Sequence, residues 1–184
     1  EALYTVLAVP LFAKLHDRIA PSYGFDRKNG AKMNSLDVIT VSPPKFSEPD
    51  VARLVEAEYG LGGELCPLLS ERDQNFLLTA DDGSSYVVKV AGAAEERNAG
   101  DFQMQGLLHV EARGCQTAVP KIIRTLAGAS TTTILDGQTE HIVRLVSYLP
   151  GQLATDVLPT PALMRSIGQS LAYLDIALSD FEHD

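Results

Sequence analysis

Residues 74–91 carry the pattern that most restricts how this chain can fold. Two runs of mainly apolar residues, 74–79 and 84–91, flank the turn-forming segment 80–83, which reads Ala-Asp-Asp-Gly. Such runs, joined by a short turn that contains glycine, predict a β-hairpin. The second strand would hold Lys89 between two valines, at a fixed place on the sheet. Simple alternation, with Lys89 facing water, explains the same pattern.

A helix is predicted upstream of this hairpin. Ser47 is a suitable N-cap residue, and a proline follows in the first turn. The apolar residues Val51, Leu54 and Val55 fall on one face of a helix with 3.6 residues per turn. Gly60 then provides a helix end.

The remaining segments alternate between short strands and two longer helices. The predicted elements are strands 66–70, 121–125, 131–135 and 141–148 and helices 101–113 and 161–179. The runs 121–125 and 131–135 would pair as a second hairpin. The order of elements predicts an α+β fold class, with an antiparallel sheet of five to six strands and helices beside it.

Charge and cysteine content exclude several classes of function. The net charge is −9 and the basic residues are scattered, so the chain lacks the cationic surface of a nucleic-acid-binding protein. Cys66 and Cys115 show no metal-binding spacing, which predicts no zinc site and a reducing, cytoplasmic location. The apolar run 2–13 is too short to span a bilayer and lacks the basic flank of a signal peptide. We expect neither a nucleic-acid partner nor a membrane segment.

Three segments in order carry a resemblance to a known family. They read LSERDQNF at 69–76, YVVKV at 86–90 and VRLVSYLPG at 143–151. The chain resembles the amino-terminal lobe of the aminoglycoside phosphotransferase and choline-kinase-like family, and within it the hydroxylysine-kinase-like branch. The resemblance implies a protein-kinase-like fold.

The same resemblance divides the chain into three parts. Residues 37–150 would form the nucleotide-binding lobe, and 151–184 the exit from the hinge with the first helix of a truncated carboxy-terminal lobe. Residues 1–36 would be a leader or linker of unknown role. Upstream read-through, a fusion remnant and the tail of a preceding domain all remain open as its origin.

By this resemblance, Lys89 becomes the lysine of the third strand, which holds the phosphates of the nucleotide. The loop before the second strand would cover those phosphates, although it contains no glycine. Its expected phosphate-contacting residues are Ser70, Arg72, Asp73 and Asn75. An Asx-type turn formed by Asp73 and Asn75 is the structural alternative.

Asp101, at the start of the following helix, is the candidate acidic partner of Lys89. Its position in the first turn would also suit a residue that compensates the helix dipole, and Gln103 and Gln105 compete for the role. The segment Ser147, Tyr148 and Leu149 occupies the place of the hinge that offers backbone groups to the nucleotide base.

The resemblance implies a small-molecule kinase that uses ATP or GTP with Mg²⁺. The acceptor would be a hydroxyl of an amine-bearing metabolite, with hydroxylysine favoured. No catalytic or metal-binding residue is predicted, because such enzymes place both aspartates in the carboxy-terminal lobe. Two alternatives stay open: a non-catalytic nucleotide-binding or regulatory module, possibly fused to a pyridoxal-phosphate aminotransferase, and an interaction protein that forms a homodimer.

Overall fold

A computed structural model describes residues 43–70, 72–92, 97–152 and 156–183. The predicted leader, 1–36, lies outside these residues. The chain divides into two compact units. The described residues of 40–100 and 120–148 form the sheet unit, and those of 101–119 and 149–184 form the helical unit.

The sheet unit contains one complete helix and an antiparallel sheet. In chain order its elements are α1 (Glu48–Tyr59), β1 (Gly63–Leu68), β2 (Gln74–Ala80), β3 (Ser85–Val90), β4 (Ile122–Ile123), β5 (Thr132–Asp136) and β6 (Thr139–Ser147). The strands are ordered β1-β2-β3-β6-β4, and β5 also pairs with β6. The six antiparallel strands confirm the predicted fold class.

The predicted pairing of 121–125 with 131–135 is wrong. Both β4 and β5 pair with β6, β4 near its end at Val146 and Leu145 and β5 near its start. A glycine turn at Gly137, where φ is 60°, connects β5 directly to β6 and makes that pair the hairpin. The longer strand β6 offers more pairing length than β4, which is only two residues long.

The core of the sheet unit lies between α1 and one face of the sheet. Its buried residues are Val51, Val55, Tyr59, Leu65, Phe76, Leu78, Val88, Val90, Val143 and Leu145. The limits of α1 follow the sequence signals, because the Ser47 side chain accepts a hydrogen bond from the Asp50 N–H and Gly60 adopts the left-handed conformation that ends the helix. The alternate positions of β2, β3 and β6 therefore point away from α1.

The helical unit contains α2 (Arg97–Ala112) from Asp101 onward and α3 (Pro161–Ala177). The segment after α3 contacts α2 through aromatic rings, since the Phe102 ring lies 5.3 Å from those of Phe181 and His183. Leu174 and Leu178 are buried, whereas Ile176 is 68% exposed. The C-terminal end of α3 is thus partly covered by other described residues.

A polar contact accompanies these rings. Asp180 lies 3.1 Å from His109 Nε2 and 2.8 Å from Arg113. Desolvation opposes ionisation of Asp180, but the hydrogen bond with His109 and the charge of Arg113 outweigh it and hold the pKa of this carboxyl below its ordinary value.

None of the described helices is long and apolar enough to cross a membrane.

Candidate functional site

A row of three polar residues crosses the sheet on the face opposite α1. Asn75 of β2 pairs with Lys89 of β3, and Lys89 pairs with Arg144 of β6. Directly paired residues in a sheet project to the same face. The next row, which includes Val88, projects into the core beneath α1. The polar row is therefore a feature of the outer face of the sheet, bounded on both sides by apolar strand positions.

Lys89 is held close to the sheet surface. Its side chain is 22% exposed, and its Nζ lies 3.9 Å from Oδ2 of Asp73, which is also 22% exposed. A lysine that only alternated into water would be far more accessible. The cation thus occupies a restricted site next to a carboxylate.

Arg144 is a residue that the sequence interpretation missed. It is 3% exposed, and its Nη1 donates a 3.4 Å hydrogen bond to the carbonyl of Gly100, in the first turn of α2. The signal was available, because Arg144 stands among Val143, Leu145 and Val146 in the way that Lys89 stands between valines. Like charges directly opposite one another on neighbouring strands repel. An arginine facing Lys89 makes this row strongly cationic.

Asn75 adds a hydrogen-bond acceptor to the row, whereas the charged groups of Lys89 and Arg144 are donors. Its Oδ1 is buried and has no hydrogen-bond partner among the described residues. A buried carbonyl oxygen without a donor is costly. This oxygen can be satisfied only by a hydrogen-bond donor, so it is the amide NH₂ of Asn75 that could contact an anion near Lys89.

The residues before β2 approach the end of β3. Oδ1 of Asp73 accepts a 3.3 Å hydrogen bond from the Gly92 N–H. Ser70 is half-buried and Arg72 is exposed. Of the predicted loop residues, the structure brings Asp73 and Asn75 to Lys89, whereas it records no contact between Lys89 and Ser70 or Arg72 among the described side chains.

Asp101 has a different recorded contact. Its Oδ2 lies 2.9 Å from Nε2 of His183, and its side chain is 57% exposed. Both residues belong to the helical unit, whereas Lys89 and Asp73 belong to the sheet unit. The pairing of Asp101 with Lys89 therefore stays a prediction, and Asp73 is the carboxylate that the described structure places near the lysine.

The predicted hinge residues differ in what their polar groups do. Ser147 exchanges hydrogen bonds with Lys121: its N–H donates to the Lys121 carbonyl at 2.8 Å, and its Oγ accepts from the Lys121 N–H at 2.9 Å. The Tyr148 N–H donates to the Ser85 carbonyl at 3.0 Å. Leu149 is the first residue after the sheet unit, and its N–H and carbonyl form no hydrogen bond with other described residues. Of these three described residues, Leu149 is the one whose N–H and carbonyl both lack a recorded hydrogen bond.

The described residues contain no group of three His, Cys, Asp or Glu side chains that could hold a metal ion. Among the residues that the structure describes, Asp73 is the carboxylate found beside Lys89. Divalent magnesium is usually bound by one or two carboxylates together with substrate phosphates. The described part of the chain thus supplies cationic and amide groups for an anion, and no ready cage for a metal.

Comparisons with known proteins identify similar sequences and folds. Residues 64–182 match the model of the phosphotransferase enzyme family. Hydroxylysine kinase of Danio rerio is 31% identical over 147 residues, covering 77% of this chain and 41% of that protein. Hydroxylysine kinase of Mus musculus is 30% identical over 155 residues, covering 76% and 40%. The chain spans about two fifths of the length of these curated relatives.

Two solved structures share the fold at low sequence identity. An amicoumacin kinase in complex with AMP-PNP, Ca²⁺ and Ami has a TM-score of 0.59 and 15% identity, covering 76% of this chain and 42% of that one. A microcompartment-associated aminopropanol kinase has a TM-score of 0.56 and 15% identity, covering 74% and 42%. These likenesses show the protein-kinase-like fold that the sequence led us to expect.

Proposed function

Because the chain belongs to the phosphotransferase enzyme family, we propose that it is the nucleotide-binding lobe of a small-molecule kinase. The complete enzyme would transfer the γ-phosphoryl group of ATP or GTP, with Mg²⁺, to a hydroxyl of an amine-bearing metabolite. The observation that carries this proposal is the polar row, in which Lys89 stands between Asn75 and Arg144 on one face of the sheet.

Lys89 would bind the phosphates of the nucleotide. A triphosphate needs a cation whose position is fixed before binding, since a preorganised charge requires little rearrangement when the ligand arrives. A strand in the middle of a sheet provides this rigidity, and the limited exposure of Lys89 reduces the screening of its charge by water. Arg144 on the neighbouring strand adds positive potential at the same place.

Leu149 would contact the nucleotide base. Its N–H and carbonyl have no recorded hydrogen bond within the described chain, so both can meet the polar edge of a purine. Tyr148 and Ser147 would support it, because their hydrogen bonds to Ser85 and Lys121 fix the end of β6. Ser70, Arg72, Asp73 and Asn75 remain the proposed contacts of the phosphate loop.

An amine-bearing acceptor is proposed from the names of the relatives. The curated relatives are called hydroxylysine kinases, and one structural neighbour is called an aminopropanol kinase. Both acceptor names denote small molecules that carry an amine and a hydroxyl. The net charge of −9 favours cationic substrates over anionic ones. We therefore place hydroxylysine first among the acceptors.

The proposal is tested by titrating the 184-residue chain with ATP and with GTP in the presence of Mg²⁺, using calorimetry. Replacing Lys89 with alanine should weaken binding about tenfold or more, since a charge-assisted contact to phosphate is lost. Lys45→Ala is the matched control, because Lys45 is an exposed lysine of the same unit and lies outside the polar row. Equal affinities of wild type, Lys89→Ala and Lys45→Ala would contradict the proposed role of Lys89.

A further inference from the structure

The chain segment before β2 approaches β3 more closely than its own sequence suggests. Residues 69–73 read Leu-Ser-Glu-Arg-Asp and contain no glycine. The glycine at this contact is Gly92, which follows β3. A Cβ atom placed on Gly92 would lie 2.7 Å from the carbonyl oxygen of Arg72. That distance is too short for real atoms, so the backbone at Arg72 can lie here only because residue 92 has no side chain.

A second contact joins the same two segments. Asp73 accepts the hydrogen bond from the Gly92 N–H through one carboxylate oxygen, and its other oxygen lies 3.9 Å from the Lys89 ammonium. We call Arg72 and Asp73 the loop base. The Asp73 side chain links the loop base to Lys89 in β3 and to Gly92, which follows β3. Hydrogen bonds to charged acceptors are stronger than neutral ones. The close packing at Gly92 and the contacts of Asp73 are two independent observations that the loop base lies against the end of β3.

We propose that Gly92 and Asp73 are positioning residues that seat the loop base against β3, so that the phosphate loop and Lys89 reach the nucleotide phosphates together. This inference rests on the proposed function. Gly92 acts by allowing close approach, since it has no left-handed backbone conformation that would itself demand glycine. Asp73 acts by holding the Gly92 N–H and by fixing the lysine ammonium. In this role Gly92 does not touch the nucleotide, and Asp73 acts through the Gly92 N–H and the lysine ammonium in addition to its proposed place in the phosphate loop.

A positioning role at the phosphates and a general structural role affect different ligands. Seating of the loop base matters for a ligand with phosphates and not for a nucleoside. ATP with Mg²⁺ and adenosine are therefore the two probes, both followed by NMR titration of the 184-residue chain. Amide hydrogen exchange at Arg72, Asp73 and Gly92, measured without ligand, reports the seat directly.

Three variants and two controls separate the contributions. Gly92→Ala adds only the clashing Cβ, Asp73→Ala removes both contacts, and Asp73→Asn keeps the acceptor for Gly92 but loses the charge. The first control is Gly168→Ala, because a Cβ there meets nothing within 4 Å. The second is Glu64→Gln, which removes an exposed carboxylate of β1.

We expect Gly92→Ala and Asp73→Ala to weaken ATP binding about tenfold, as loss of one charge-assisted contact would. Adenosine binding should stay within about twofold of wild type in both variants, and Asp73→Asn should bind ATP more tightly than Asp73→Ala, because it restores a hydrogen bond. Exchange at the loop base should become faster in Gly92→Ala and Asp73→Ala and stay unchanged in the two controls.

Three results would overturn the inference. ATP binding that changes no more than in the controls would remove the positioning role. A parallel loss of ATP and adenosine binding would show a general structural defect instead. A wild-type chain that binds neither probe would overturn the proposed function and with it the phosphate role, while faster exchange in Gly92→Ala and Asp73→Ala would still confirm the seat of the loop base.

Discussion

Among single residues, Tyr59 carries a titratable group deep in the core of the sheet unit. The residue is 6% exposed, and burial, together with the negative charge of Glu58, raises the pKa of Tyr59 from 10.0 to about 12. The raised value means that the folded state holds the phenol proton more tightly than the unfolded state. Its contribution to stability is fully present below pH 10 and is lost as pH rises from about 10 to about 12.

We therefore expect Tyr59→Phe to abolish this part of the alkaline loss of stability. Between about pH 10 and about pH 12, the free energy of unfolding should fall less steeply in Tyr59→Phe than in wild type. Chemical denaturation followed by circular dichroism at several pH values measures it. Tyr173→Phe, at a residue that is 37% exposed, is the control. Identical pH profiles of Tyr59→Phe and wild type would contradict the assignment.

The sequence predicted individual residues best where a chemical type stood out from its neighbours. Lys89 is conspicuous between valines, and the structure places it on β3 as expected, while its contact with phosphate stays a prediction. Arg144 has the same signature but was not recognised, because its pairing with Lys89 depends on which strand follows β3 in the sheet. The closeness of Arg72 to Gly92 was also out of reach, since it joins segments 20 positions apart by shape alone.

For single elements, helix caps give the clearest test. Ser47 caps α1 by accepting from the Asp50 N–H, and Thr160 caps α3 by accepting from the Leu163 N–H at 3.1 Å. Replacing either residue with alanine should lower the free energy of unfolding by about 1 kcal/mol, because one amide of the first turn loses its acceptor. Urea denaturation measures both.

Glycine replacements at the same two positions are the matched controls. Glycine is a tolerated N-cap residue, so Ser47→Gly and Thr160→Gly should cost only a few tenths of a kcal/mol relative to wild type. If alanine and glycine cost the same at both positions, the side-chain oxygens contribute nothing as caps.

Ser47 also donates a 2.5 Å hydrogen bond to Asp50 and lowers the pKa of that carboxyl. Ser47→Ala should therefore raise the pKa of Asp50 toward its ordinary value.

Elements were predictable where the signal is local. The limits of α1 follow from Ser47 and Gly60, and β2 and β3 lie within one residue of the predicted runs. The partner of β5 was not predictable in this way. Two runs next to one another in sequence favour a hairpin, but β4 and β5 both pair with β6, at different residues, and this arrangement depends on the complete sheet. Strand pairing is a property of the whole set of strands.

For the molecule as a whole, the excess of acidic residues predicts a response to salt. A net charge of −9 makes the compact state repel itself. Raising NaCl from about 10 to about 150 mM shortens the screening length from about 30 to about 8 Å. We expect the melting temperature near pH 7 to rise as this repulsion is screened.

The control is the same pair of salt concentrations near pH 4.8, the isoelectric point, where the net repulsion vanishes. Differential scanning calorimetry compares the two shifts. A shift of the same size at both pH values would show that the salt acts by another route, such as exclusion from the surface.

The homodimer also stays a prediction at this scale, and light scattering over a range of concentrations tests it.

Strand β6 pairs with β3 on one side and with β4 and β5 on the other, so it completes the sheet unit. It begins roughly fifty residues after β3 ends, and contacts over such separations form late. During synthesis on the ribosome, β1 to β3 emerge first and present the open edge of β3, with Val88 and Val90 awaiting Val143 and Leu145. An unpaired strand edge invites association with other chains. The edge of β3 therefore stays open from the translation of β3 until β6 has been made, and the nascent chain is exposed to association during that interval.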